Sequence, residues 1–273
     1  MSIVHEQPAG PEGIKSPRRS AFARRALAVA ALLLFVLFAG LGTWQVYRLQ
    51  WKLDLIERVD ARVHADPVAP PAVAQWPQVS RESDEYRRIR LSGRYLYELT
   101  TPVQALSELG AGFWLLTPLC TEEGHIVLIN RGFIPSSGNI AQQYPANKAD
   151  GDPCAAAPGA PVMVSGLLRI AEPKSGFLRD NDPVNNRWYA REVGAIAAAR
   201  GLDLAKVAPF FVDAGRGQDP KDAPETAVGG LTVISFPNNH LVYALTWYAL
   251  ALMVAAATWW VARYEARRGA TDD

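Results

Sequence analysis

Two stretches of this chain break the ordinary mixture of apolar and polar positions: residues 26–45 and 241–262 contain no charged side chain. Each is long enough to cross a bilayer as a helix, because about 20 apolar residues rising about 1.5 Å each span a hydrocarbon core of about 30 Å. Lipid offers backbone amides no partner, so these isolated runs predict helices, which satisfy their amides internally. Past the first run, Leu49, Leu53, Ile56 and Val59 keep helical spacing and carry the predicted helix to about Asp60.

Between the two runs the apolar positions recur at a shorter period. Segments 88–96, 113–120, 125–134 and 162–170 read as strands, with shorter candidates at 187–191, 210–213 and 231–235. Glu123-Gly124 reads as the hairpin turn between two of them. Residues 192–200, rich in Ala and closed by Gly201, read as a helix. Pro67, Pro70, Pro71 and Pro77 mark a linker, while 135–161 and 214–230 read as loops. The predicted fold class is a membrane protein with two transmembrane α-helices flanking a mainly antiparallel-β (α+β) extramembrane domain. Its parts are a disordered tail (1–25), a first transmembrane helix (26–47), a β-rich domain (48–239), a second transmembrane helix (240–262) and a short tail (263–273).

Charge orients this arrangement. Lys15, Arg18, Arg19, Arg24 and Arg25 precede the first apolar run, and Arg263, Arg267 and Arg268 follow the second. Positive flanks stay inside, so both termini are expected in the cytoplasm and the domain outside, in the periplasm of a cell with an inner (plasma) membrane. The first run exceeds the apolar core of a signal peptide and lacks a convincing small-residue cleavage site, so it is expected to remain as an anchor. A net charge of +1 gives no support for nucleic-acid binding, which needs a clustered basic face. Cys120 and Cys154 could pair outside the membrane or remain two buried or free thiols, and nothing in their surroundings decides between these.

Candidate chemistry gathers where the apolar runs meet the domain. On a helix Trp44, Arg48 and Trp51 share a face, and an arginine beside indoles can stack and still donate to an anion. His240, Tyr243 and Trp247 form a second stripe, with a neutral imidazole able to ligate a metal or haem iron. Both stripes also fit an aromatic belt with a snorkelling arginine and a hydrogen-bonding histidine. By topology they lie at the same membrane face, where a ligand between the helices would meet His240 from one side and Arg48 from the other. The domain shows no nucleophile elbow, phosphate loop, Cys/His metal cluster or dinucleotide fingerprint, so no catalytic residue is named.

An ordered set of short motifs carries a resemblance. In sequence they are Gly42-Thr-Trp-Gln with Arg48 and Trp51-Lys52, Glu85-Tyr-Arg-Arg before Gly93, Asn130-Arg-Gly-Phe with Pro135, and Gly166-Leu-Leu-Arg with Glu172. Then come Asn181-Asp-Pro with Asn186 and Trp188-Tyr189, Phe211-Val-Asp-Ala, Gly229-Gly, Asn239-His-Leu with Tyr243, and Thr246-Trp-Tyr. Together they resemble the Surfeit locus protein 1 family of Shy1-like cytochrome c oxidase assembly proteins, over about residues 40–250. Asn239 stands where many members are acidic, Ala249 where many have Gly, and no Arg follows Thr232.

The resemblance implies a non-enzymatic assembly factor for a haem–copper terminal oxidase, one that binds haem a transiently and assists its insertion into subunit I. It implies His240 as the haem-iron ligand with Trp44 and Arg48 as neighbours, and the stripe read from the residues adds Tyr243 and Trp247 as aromatic walls. The expected partners are cytochrome c oxidase subunit I, haem a synthase and the lipid bilayer, and no nucleic acid. Two alternatives stand beside this reading: a membrane-tethered haem-modifying enzyme, and a periplasmic sensor or interaction protein.

Overall fold

The computed structural model describes residues 20–155, 157–171, 179–232, 234 and 236–269. They form two compact units. One is built from the chain up to Asp54 and from Pro237 onward, the other is Leu55–Phe236.

The first unit is helical. Helix α1 (Ala21–His64) contributes its residues up to Asp54, and helix α5 (His240–Gly269), the last element of the chain, supplies the rest. Both are long and apolar enough to cross a membrane. Helix α1 stops three residues before Pro67, which disfavours helical backbone at the residue before it. At the start of α5 the Asn238 side-chain oxygen accepts from the His240 N–H at 3.4 Å.

The second unit is a closed β-barrel with short helices. After α1 come the one-turn helix α2 (Arg81–Asp84) and strands β1 (Arg88–Tyr95), β2 (Thr101–Ser107), β3 (Gly110–Thr121) and β4 (Ile126–Pro135). The one-turn helix α3 (Ile140–Gln143), β5 (Val162–Ile170), α4 (Val193–Ala199) and β6 (Val207–Ala214) follow. The sheet order is β1-β5-β6-β4-β3-β2, and a further pairing of β1 with β3 closes the ring. One stretch of β1, Arg88 to Gly93, pairs with β5, and its end, Gly93 to Tyr95, pairs with β3. Every ladder is antiparallel except β4–β6. The ring is tight: a Cβ on Gly166 would meet the Asp213 carbonyl oxygen at 2.2 Å.

Burial follows the residue pattern. In β1 the buried positions alternate, with Ile89, Leu91 and Tyr95 inside and Arg88, Arg90 and Arg94 exposed. The barrel core joins these to Leu119, Val127, Ile129, Val164, Leu168, Phe210 and Val212. A second core lies on the other sheet face, where Leu116, Ile126, Leu128 and Phe211 meet Trp188 and the α4 residues Val193, Ile196 and Ala197. Strand β4 belongs to both cores and is buried along its length until Pro135, which explains its nearly continuous apolar run.

The pairing of the cysteines, open in the sequence, is a Cys120–Cys154 disulfide with Cα atoms 5.5 Å apart. It ties the connection between β4 and β5 back to β3. Three expectations change. Strand β2 was not anticipated; it carries Pro102 on the sheet edge, where a missing N–H costs no internal ladder bond. Segment 187–191 forms single bridges at Arg187 and Trp188 and no strand, because the Asn181 side chain accepts from the N–H groups of Tyr189 (2.8 Å) and Ala190 (3.0 Å) instead. Of 231–235, Leu231, Thr232 and Ile234 are not in a strand, and the other two residues lie outside the described ones.

Candidate functional site

The apolar helices α1 and α5 pack antiparallel, mostly through contacts of motif residues. Phe38 stacks on Trp247 with ring centroids 5.8 Å apart. One turn further along α1, Gly42 lets the Tyr248 ring approach: a Cβ there would come within 2.9 Å of it. The Thr43 hydroxyl shares a hydrogen bond of 3.1 Å with the Tyr248 hydroxyl. At the start of α5, His240 Nδ1 meets Gln45 Oε1 at 2.7 Å.

The residues expected to bind a ligand are distributed around this seam. His240 and Trp247 are half-buried in it. Trp44 and Tyr243 are exposed, at 53% and 54%. Arg48 is exposed, and its guanidinium lies 4.4 Å over the Trp51 ring, the cation–π contact that the spacing predicts. The structure thus brings His240 and Trp247 onto α1, and it leaves Arg48, Trp44 and Tyr243 on the outside of the pair. The partners that reading the residues alone missed are Gln45, Thr43 and Tyr248. All three stand in the quoted motifs, but their role depends on which face of each helix is turned inward. No group of three or more His, Cys, Asp or Glu that could hold a metal ion occurs among the described residues.

The domain motifs converge on buried charge. Asp213 on β6 accepts at one carboxylate oxygen from Asn130 Nδ2 (2.7 Å) and Arg191 (3.1 Å). Its other oxygen accepts from Arg169 (2.8 Å) and the Thr232 hydroxyl (2.9 Å). Arg169 also donates to Glu85 at 2.9 Å. Burial works against the Arg169 charge, but Asp213 and Glu85 outweigh it and push its pKa up. Arg131, next to Asn130 on β4, points to the barrel side of the strand and is fully buried. It donates to Asp219 (2.7 and 3.2 Å), to the Glu225 carboxylate (2.7 Å) and to the Glu225 carbonyl (2.8 Å), while its guanidinium lies 4.9 Å over Tyr97.

Arg200, at 1% exposure, is held by the Thr101 hydroxyl, the Thr100 carbonyl and Asn186 Oδ1 at 2.8–3.0 Å, and burial lowers its pKa to about 10. Asp84 caps its own turn. Burial opposes its ionisation, but hydrogen bonds from Ser83, Arg87 and the Ser80 N–H outweigh this and hold its pKa below the ordinary 3.8. The charged groups in these clusters are each held by hydrogen bonds or ion pairs, while Asn130 Oδ1 is buried without a partner. They fix the barrel and the segment that follows β6. Glu172, another charged member of these motifs, lies outside the described residues.

Gly42, Thr43, Gln45, His240, Trp247 and Tyr248 in the seam, and Glu85, Asn130, Arg131, Arg169 and Asp213 in the clusters, are residues of the ordered motifs, and whole-chain comparison agrees. The SURF1 family profile matches residues 32–252. Surfeit locus protein 1 of Homo sapiens is 32% identical over 237 residues, covering 81% of this chain and 72% of the human protein. The SURF1-like protein of Monosiga brevicollis is 30% identical over 80% of each chain. Surfeit locus protein 1 of Takifugu rubripes is 29% identical over 82% of this chain and 91% of its own length. The chain belongs to the SURF1 family.

Proposed function

We propose that this protein is a membrane-anchored assembly factor for a haem–copper oxidase that holds haem a transiently where α1 meets α5 and assists its transfer to oxidase subunit I. The observation that carries the reading is the position of His240. It is the first residue of α5, half-buried against α1, and it engages Gln45 through Nδ1, which leaves Nε2 for an axial bond to iron. The surroundings suit such a group: Trp247 lies in the seam, Trp44 and Tyr243 offer aromatic faces, and Arg48 offers a cation for a propionate. Haem would bring the iron and a broad apolar ring; the protein's part is to ligate, to orient and to shield.

The paired cysteines support a domain in an oxidising compartment, and the basic flanks of both apolar helices support cytoplasmic termini. Both agree with an inner-membrane protein whose domain lies in the periplasm. The paired charges of the barrel clusters favour a docking or scaffolding role over turnover chemistry, with subunit I and haem a synthase as the partners to test.

The test is the visible spectrum of the protein purified from cells that make haem a, wild type beside His240→Ala. The wild type is expected to carry a haem a spectrum that His240→Ala loses. Equal haem content in the two proteins would overturn His240 as the ligand.

A further inference from the structure

We infer that Gln45 is the positioning residue for His240: its side-chain carbonyl selects the ring tautomer that presents Nε2 as a lone-pair donor. The inference rests on the haem-carrier reading for the identity of the ligand and on the structure for the geometry. A carboxamide oxygen has no proton to give, so the 2.7 Å contact requires the hydrogen to sit on Nδ1. In the neutral ring this places the lone pair on Nε2, the form needed by a metal ligand. A free neutral histidine favours the opposite tautomer, with the hydrogen on Nε2, where it blocks that bond. The selection is therefore made across the helix seam.

Two features make Gln45 suited to this. His240 is the first residue of its helix, with no preceding turn against which the ring could pack, so a partner on α1 supplies the missing constraint. The separation of the helices is set by the contacts of Gly42 and Thr43 with Tyr248, which place residue 45 within hydrogen-bond reach. The chemistry of the acceptor has a functional meaning as well. Partners on the far nitrogen of a ligating histidine tune its basicity, and a neutral amide pulls the Nδ1 proton less than a carboxylate does. A carrier that must give up its cargo is served by the weaker partner.

The test uses the full-length protein in detergent micelles and three variants: Gln45→Met, which keeps length and removes the acceptor, Gln45→Glu, which restores a stronger one, and His240→Ala. Nitrogen-15 spectra of the haem-free protein report the tautomer, and His240→Ala assigns the signal among the four histidines. Wild type and Gln45→Glu are expected to show a protonated Nδ1 on His240, and Gln45→Met a protonated Nε2. Titration with haem a is expected to show about 10–100-fold weaker binding in Gln45→Met. In Gln45→Glu it should show wild-type or tighter binding with a lower iron reduction potential. A wild-type His240 protonated on Nε2, or a Gln45→Met protein that binds like wild type, overturns the role of Gln45. A protonated Nδ1 in a protein whose haem binding is unchanged by His240→Ala upholds the tautomer selection and overturns the haem-ligand reading instead.

Discussion

Replacing Arg131 by Met should unfold the barrel far more easily than the loss of one surface charge would. The side chain is fully buried, and its two acidic partners are nearly so, with Asp219 at 7% and Glu225 at 18% exposure. Removing the cation leaves both carboxylates desolvated with no counter-charge. Breaking one side of a buried ion pair costs about 3–5 kcal/mol, most of it from the group left behind. With a urea dependence of about 2 kcal/mol per molar, a loss of about 4 kcal/mol moves the unfolding midpoint down by about 2 M. Pulse proteolysis of the detergent-solubilised protein across a urea series reads this midpoint for the domain, whatever the apolar helices do. The decisive companion is the triple variant Arg131→Met, Asp219→Asn, Glu225→Gln, which removes the orphaned charges. It should recover at least half of the loss, because a buried neutral amide costs far less than a buried carboxylate left without its counter-charge. A single variant within about 1 kcal/mol of wild type, or a triple variant no more stable than the single one, would refute the account.

Two further outcomes follow from other contacts. The disulfide closes a loop of 34 residues' separation, for which the chain-entropy relation gives about 4 kcal/mol; Cys154→Ser should lower the urea midpoint accordingly, and thiol alkylation that finds two free cysteines in the wild-type protein would contradict it. Asp84 has a folded-state pKa below 3.8, so its contribution to stability is complete above that value and disappears as pH falls through the lower, folded one. Asp84→Asn should therefore flatten the loss of stability below about pH 4 in acid titrations, and an unchanged acid limb would count against the hydrogen bonds drawn to that carboxylate.

The elements legible in the sequence are those with strong local patterns. The apolar runs predict α1 and α5, and the span expected for β5 is the one found, Val162–Ile170. Strand β4 declares itself as a long apolar run, and Ala-rich spacing marks α4. What the pattern does not carry is partnership across distance. Closure of the ring by β1 with β3, and the parallel match of β4 with β6, depend on residues far apart in sequence. The buried arginines show the same limit from another side. Arg131 and Arg169 stand inside predicted strands, where a charge needs a partner. Their positions signal buried clusters, but neither names Asp219, Glu225 or Asp213 as the answering group. In the helix seam His240 was legible by residue type, whereas Gln45 acquires meaning only from its proximity to that ring.

The place of β6 between β5 and β4 imposes an order on assembly. As the chain emerges from its N-terminal side, β1 to β5 arrive first, and two of them wait with open hydrogen-bonding edges. One is β4, the strand most thoroughly enclosed in the finished molecule. Until Val207–Ala214 slots in, that sticky edge is a template for any passing extended peptide. A chain cut short before this insert would be left with its hoop unlatched, and such fragments should be caught by quality-control proteases rather than persist as half-sized domains.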